Sequence, residues 1–268
     1  MKKYLSVFLI IAGLLSQEAA AQSEAVRSAR EEVIATVDKL AEIQEQDLTP
    51  EAKEREEIAL KKTALQKIIN LSAAETLDLK DKLASLTGVE TQLISLQDQL
   101  LTKLEDYLAY FDDTNRALEI ISRREEIQNL AGDFKDWREV SYNQELKKAI
   151  DFILVFQNKS LLKTAQERLI KFASEVRKTK LVRESYQPLL NEAARNLREA
   201  REANNRALSL LGDYLEKSLA GEVLTKLNSI PQTREPSLRE LVETSLTKIK
   251  AAYKSLIDLA DLARKTTR

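Results

Sequence analysis

The longest uninterrupted apolar seam in the chain runs from Val89 to Arg124. Leu93, Leu96, Leu100, Leu104, Tyr107, Phe111, Thr114, Leu118 and Ile121 follow one another in steps of three and four, which places them on one stripe of a helix. No Gly or Pro interrupts this run after Val89. At about 1.5 Å per residue it would extend roughly 50 Å, the spine of an elongated helical protein. Asp112-Asp113-Thr114-Asn115 has the residue types that cap helices, yet the stripe keeps phase across it. The spacing therefore predicts one helix to about Leu130, ended by Gly132-Asp133, and a loose segment from Phe134 to Asn143 around Trp137, the only tryptophan.

Upstream, Gln22 to Gln46 carries Val26, Val33, Val37, Leu40 and Ile43 on one side of a helix. A new helix is predicted after Asp47-Leu48, with Thr49 as N-cap and Pro50 at the first helical position, where its missing N–H would be unpaired anyway. It runs to about Asn70 with Ile58, Leu65, Ile68 and Ile69 inward. Ser72-Ala73-Ala74-Glu75 matches a capping box and predicts a third short helix with Leu79, Leu83 and Leu86, closed by Thr87-Gly88.

Downstream, a long helix carries Leu146, Ile150, Ile153, Leu161, Ala165, Leu169, Phe172 and Val176, ending near Arg183. Pro188 starts or kinks the next, whose seam is Leu190, Ala193, Leu197, Ala200, Asn204, Leu208, Leu211 and Leu215. Gly221 and the stretch from Ser229 to Pro236, with Pro231, read as a loop. A second capping box, Ser237-Leu238-Arg239-Glu240, opens the last helix, where Leu238, Val242, Ser245, Ile249, Ala252, Leu256, Leu259 and Ala263 alternate steps of four and three. Four long helices with this spacing predict an all-α, elongated antiparallel helical bundle with coiled-coil-like packing. The three shorter N-terminal helices, 22–87, form one continuous unit with the long-helix bundle of 88–268 in this reading, because no Pro/Gly/Ser-rich linker separates them.

Composition supports the helical class: of 268 residues 43% are hydrophobic and 32% charged, with five Gly and four Pro. The first 21 residues stand apart and read as a secretory signal peptide. Lys2 and Lys3 form a basic start, Leu5 to Leu15 an apolar core, and Ala19-Ala20-Ala21 a cleavage site before Gln22. That apolar core is shorter than the roughly 17 to 25 residues a spanning helix needs. The reading predicts an exported, periplasmic or extracellular protein with no stable membrane span. Removing the segment, with Lys2, Lys3 and Glu18, leaves 42 acidic against 40 basic residues, so no strong field draws the chain to nucleic acid.

Residue supply limits the chemistry. The chain has no His and no Cys, which excludes Ser-His-Asp triads, thiol nucleophiles, imidazole or thiolate metal sites and the Glu-x-x-His di-iron pattern. The pairs Asp112/Asp113 and Glu125/Glu126 lie in charged helical sequence and read as solvated faces. The expectation is a protein that is not an enzyme and holds no cofactor or metal. Arg195, Arg198, Arg201 and Arg206 resemble a basic face until Glu192, Glu199 and Glu202 are read with them, and an intrahelical salt-bridge lattice is expected instead. Asn204, inside an apolar seam, is either a buried register pin or a partly wet position.

Aromatic residues concentrate in one region. Tyr107, Tyr110, Phe111, Phe134, Trp137 and Tyr142, followed by Phe152 and Phe156, fall within fifty residues. If the flanking helices are antiparallel, the first six meet at one end of the bundle. They read either as a thick end of the core or as a partner or ligand surface, with Phe134 and Trp137 the pair expected to be exposed. Two functions follow. One is a structural or protein-interaction bundle that meets a protein partner or copies of itself. The other is a small-molecule-binding bundle, a sensor or carrier, with the aromatic end as its pocket. A holdase chaperone is a third, against which the near-zero net charge counts.

Overall fold

A computed structural model describes residues 23–45, 49–178, 183–219 and 236–266. The signal-peptide reading, the stop at 46–48 and the loop around Gly221 and Pro231 lie outside these residues. The fold is an all-α helix bundle. Its helices are α1 (Glu24–Glu45), α2 (Pro50–Ala84), α3 (Thr91–Ile120), α4 (Arg124–Trp137), a π-helical turn (Arg138–Tyr142), α5 (Asn143–Arg177), α6 (Arg183–Leu219) and α7 (Leu238–Thr266). Two compact units result. The first takes residues up to Ser85 and Gln99–Lys148; the second takes Leu86–Asp98 and Ala149–Arg268.

In the first unit, cross-helix polar pairs fix direction. Arg30 and Glu32 of α1 meet Glu75 and Lys67 of α2, so a step forward on one helix is a step back on the other. Lys62, Asn70 and Lys80 of α2 likewise meet Glu119, Asn115 and Glu105 of α3. Both pairs are antiparallel. Beneath them the expected seams are buried: Val26, Val33, Val37 and Ile43 on α1, and Leu100, Leu104, Phe111 and Leu118 on α3. Each such Val or Leu contributes about 1.5–3 kcal/mol by leaving water.

Thr49 caps α2 as its sequence predicts, with extended backbone and its Oγ1 accepting from the Ala52 N–H at 3.4 Å, and Pro50 follows at the first position. The helix then passes straight through Ser72–Glu75, so the predicted second and third helices are one. The capping box fails because its side chains are spent elsewhere. Ser72 Oγ donates to the Ile68 carbonyl, and Glu75 faces Arg30 and Arg138. The end falls at Ser85, and Gly88 takes the left-handed conformation (φ 72°) in the turn to α3, where a side chain would be strained.

The spine is shorter than its stripe predicts. It ends at Ile120 rather than near Leu130, and Gly132 sits inside α4. The stop is made from a distance: Lys62 Nζ donates to the Glu119 and Ile121 carbonyls at 2.8 and 3.0 Å, satisfying acceptors that the helix leaves open. Glu126 accepts from the Arg123 N–H at the start of α4, and Arg124 reaches Glu57 at 3.2 Å. Residues 134–142, expected to be loose, are helical throughout.

The second unit is built on α5, α6 and α7. Leu162 and Ala165 pack with Ala193, Leu197 and Ala200 and with Ile249, Ala252 and Leu256. Val176, Tyr186, Leu190 and Leu259 form the adjoining cluster. Positions rise on α6 as they fall on α7, so this pair is antiparallel too. Pro188 does not start α6, which begins at Arg183, but lies inside it past the first turn, where its missing N–H leaves the Glu184 carbonyl without its helical donor. The Ser237 box forms as predicted: Ser237 Oγ accepts from the Glu240 N–H, and Glu240 accepts from the Ser237 N–H.

Candidate functional site

Five of the six aromatic residues line up because α3 and α4 run antiparallel up to the π turn, and Tyr142 joins them because that turn is widened. Asn143 N–H bonds to the Arg138 carbonyl five residues back, and this wider turn puts Tyr142 on the face of Trp137, five residues before it, where the two rings stack at 5.5 Å. The six rings pack on one another. Trp137 stacks on Tyr110 with centroids 4.0 Å apart and meets Tyr107 and Phe111 edge-on at 5.3 and 5.7 Å. Phe134 packs against Phe111, and Tyr142 against Tyr107 and Phe111. Tyr107, Phe111, Phe134 and Tyr142 are buried, while Tyr110 and Trp137 are half-buried. Phe134 is therefore core, contrary to the expected exposure, because α4 is a regular helix there and not a loose loop. Phe152 and Phe156 belong to the second unit, where they pack together at 4.9 Å.

Beside the rings lies a buried polar group that no local spacing predicts. Arg138 donates to Ser72 Oγ, faces Glu75 at 3.8 Å and lies over the Tyr142 ring. Arg30 approaches the other Glu75 oxygen at 3.7 Å. Tyr142 donates to the Ser72 carbonyl at 3.0 Å and shares a hydrogen bond with Thr76 at 2.9 Å. Burial pushes the Glu75 carboxyl above its usual range, opposed by the Arg138 and Arg30 charges. Burial likewise raises the Tyr107 phenol to about 12 and the Tyr142 phenol further. Two guanidiniums, one carboxylate and two phenols that stay protonated make a structural clamp, closed by partners from α1, α2 and the π turn. Among the described residues, no three Asp or Glu side chains converge as a metal site would require.

A surface feature of different character lies on the second unit, between α5 and α6. A groove of about 430 Å³ has Leu169, Ala194 and Leu197 at its floor, Gln166 and Ile170 on the α5 lip, and Arg198 and Arg201 on the α6 lip. Ile170 is 71% exposed. The expected arginine lattice is not formed here. Glu199 turns instead to Lys248 of α7, whose ammonium donates to it and lowers its pKa, and only Arg195 keeps a loose 3.9 Å contact with the carboxylate. Arg198, Arg201 and Arg206 form no ion pair among the described residues.

Comparison with protein-family models, curated proteins and solved structures finds no match to the chain.

The groove was missed in the sequence because Arg198 and Glu202 stand at helical pairing distance, and nothing in that spacing shows Lys248 claiming Glu199. Ile170 was the available signal: it falls off the Leu161–Leu169 stripe and so predicts an exposed isoleucine. Asn204 is buried on the same helix and its Oδ1 has no hydrogen-bond partner among the described residues, which makes it the buried reading of the two expected. Asn158, in a glycosylation-type tripeptide, is 2% exposed and donates to the Val242 carbonyl. It is a core residue.

Proposed function

We propose that this chain is an exported helical-bundle protein that works by binding a protein partner or copies of itself, and that it catalyses no reaction. The observation that carries the reading is the α5–α6 groove, an apolar floor with an exposed Ile170 and two arginines that have no ion pair among the described residues. Exposed side chains of this kind on a rigid helical frame are contact surface rather than chemistry. The absence of His and Cys from the sequence supports the same reading. The small-molecule reading depended on the aromatic residues, and their faces are largely taken up by one another. Export rests on Lys2, Lys3, the apolar run to Leu15 and the Ala19–Ala21 site. No helix among the described residues is long and apolar enough to cross a membrane.

Cross-linking in intact cells, followed by N-terminal sequencing of the recovered chain, tests both parts. The expected result is a chain that begins at Gln22 and is joined to a discrete protein or to itself. A chain that retains Met1 would overturn export, and one that remains monomeric and joined to nothing would overturn the binding role.

A further inference from the structure

We infer that the α5–α6 groove seats one acidic amphipathic α-helix of a partner protein. The inference rests on the binding role proposed above and names the partner of that site.

Three properties of the groove select this occupant. Its floor is apolar, which calls for apolar anchors. Its lining reaches from Gln166 to Ile170 on α5 and from Ala194 to Arg201 on α6, about two helical turns or roughly 10 Å. That length suits two or three side chains spaced i, i+3 and i+4 along one face of a helix. Its α6 lip presents Arg198 and Arg201, both exposed and one turn apart, with no ion pair among the described residues. On the α5 side Lys163 and Glu167 share the face of Ile170 and cancel. On α6 exposed Glu202 stands beside the two arginines and leaves that lip positive by one charge, and an acidic residue flanking the anchors of an incoming helix would meet a guanidinium in a fork geometry suited to carboxylates.

A second copy of the chain fits less well. Groove against groove would oppose four arginines. A contact two turns long also buries far less than the about 800 Å² per partner of a stable folded interface. Lys248 of α7 holds Glu199, so this α6 carboxylate is turned towards α7, while Glu202, one turn from Arg198, forms no ion pair with it among the described residues.

The test uses the full purified chain and a labelled, amidated 18-residue peptide with leucines on one helical face and glutamates on the others. One twin replaces each glutamate with lysine, and another replaces each leucine with serine. Anisotropy at low salt should show saturable binding of the acidic leucine peptide alone. Ile170→Ser and the pair Arg198→Glu/Arg201→Glu should each weaken it about tenfold or more, with an unchanged circular dichroism spectrum, since all three side chains are on the surface. Equal binding of the acidic and basic peptides would overturn the inference, as would wild-type affinity in the arginine pair. Displacement of the peptide by dodecanoate at equal concentration would assign the groove to a fatty acid instead. A concentration-dependent dimer that Ile170→Ser abolishes would assign it to a second copy. Repeating the cellular cross-linking with the triple variant separates the two claims. If the wild-type adduct persists, the binding role stands and the groove assignment falls; if the wild type forms no adduct while the peptide binds as expected, the binding role alone falls.

Discussion

Glu75 of α2 and Arg138 of the π turn face each other at 3.8 Å with both side chains only 9% exposed. Arg138 and Tyr142, four residues apart, face the same way, one to Glu75 and Ser72, the other to Ser72 and Thr76. A buried charge pair is weak support for a fold when compared with apolar residues of the same size, but breaking one partner is costly. Arg138→Met is expected to destabilise the protein by about 3 kcal/mol, towards the low end of that class because Arg30 still faces Glu75. Glu75→Leu/Arg138→Met should cost less than the two single changes together. Urea unfolding of the four variants measures the coupling, and strict additivity would contradict it.

The raised phenols give an alkaline signature. Tyr107 titrates at about 12 in the fold against 10 for the free side chain, chiefly through burial. An acid whose pKa is raised by folding holds its proton more tightly in the native state. Its contribution is complete below the unfolded pKa and disappears as pH rises through the folded one. Stability should therefore fall between about pH 10 and 12, more steeply in the wild type than in Tyr107→Phe. Tyr142 adds to the same slope, being raised in the same sense. Absorbance at alkaline pH should show these phenols ionising only as the chain unfolds. Identical pH–stability curves for wild type and Tyr107→Phe would remove Tyr107 from this account.

The two capping boxes show what a sequence does and does not reveal here. Ser237 and Glu240 read as a helix start and form one, with both reciprocal hydrogen bonds in place. Ser72 and Glu75 have the same spacing and lie in mid-helix. The difference is tertiary: the second pair sits where α1 and the π turn supply Arg30 and Arg138, partners distant in the chain. Local spacing was sufficient for the seams of α6 and α7, where Leu190, Leu197, Val242, Ile249, Leu256 and Leu259 are all buried. It was insufficient wherever a long-range cation decided the outcome, as Lys62 does at the end of α3 and Lys248 does at Glu199. Ser237→Ala should cost about 1 kcal/mol, as a surface cap does, whereas Ser72→Ala should cost more because it leaves the Arg138 guanidinium short of an acceptor. Equal losses in thermal unfolding would mean that the two serines do the same work.

Trp137 reports on the aromatic end. Its ring lies against Tyr107, Tyr110, Phe111, Phe134 and Tyr142, so its emission should be shifted to the blue of a solvated indole. Trp137→Ala is expected to destabilise by about 3–5 kcal/mol, the range for removing a large ring from a packed site. A loss under 1 kcal/mol, together with emission that changes on addition of a small-molecule panel, would restore the ligand-pocket reading of these residues.

Asn204 and Ser245 are polar interruptions in the α6 and α7 seams, and both are buried with an oxygen that has no hydrogen-bond partner among the described residues. Lys248 meets Glu199 across the antiparallel pair, and extending that register along both helices brings Asn204 close to the level of Ser245. A buried hydroxyl without a partner carries a desolvation cost of about 1–3 kcal/mol, and Ser→Ala, which replaces the hydroxyl with a hydrogen, removes that cost for the loss of a single heavy atom. Alanine is also the better helix former. Ser245→Ala should therefore raise stability by about 1 kcal/mol, seen as a shift in the urea midpoint with an unchanged slope. Asn204→Ala is the contrasting case, because it removes volume as well as polarity, and its gain should be smaller or absent. A loss of stability in Ser245→Ala would show that its hydroxyl is paired, and the polar layer would then be a bonded pin between the two helices rather than a tolerated defect.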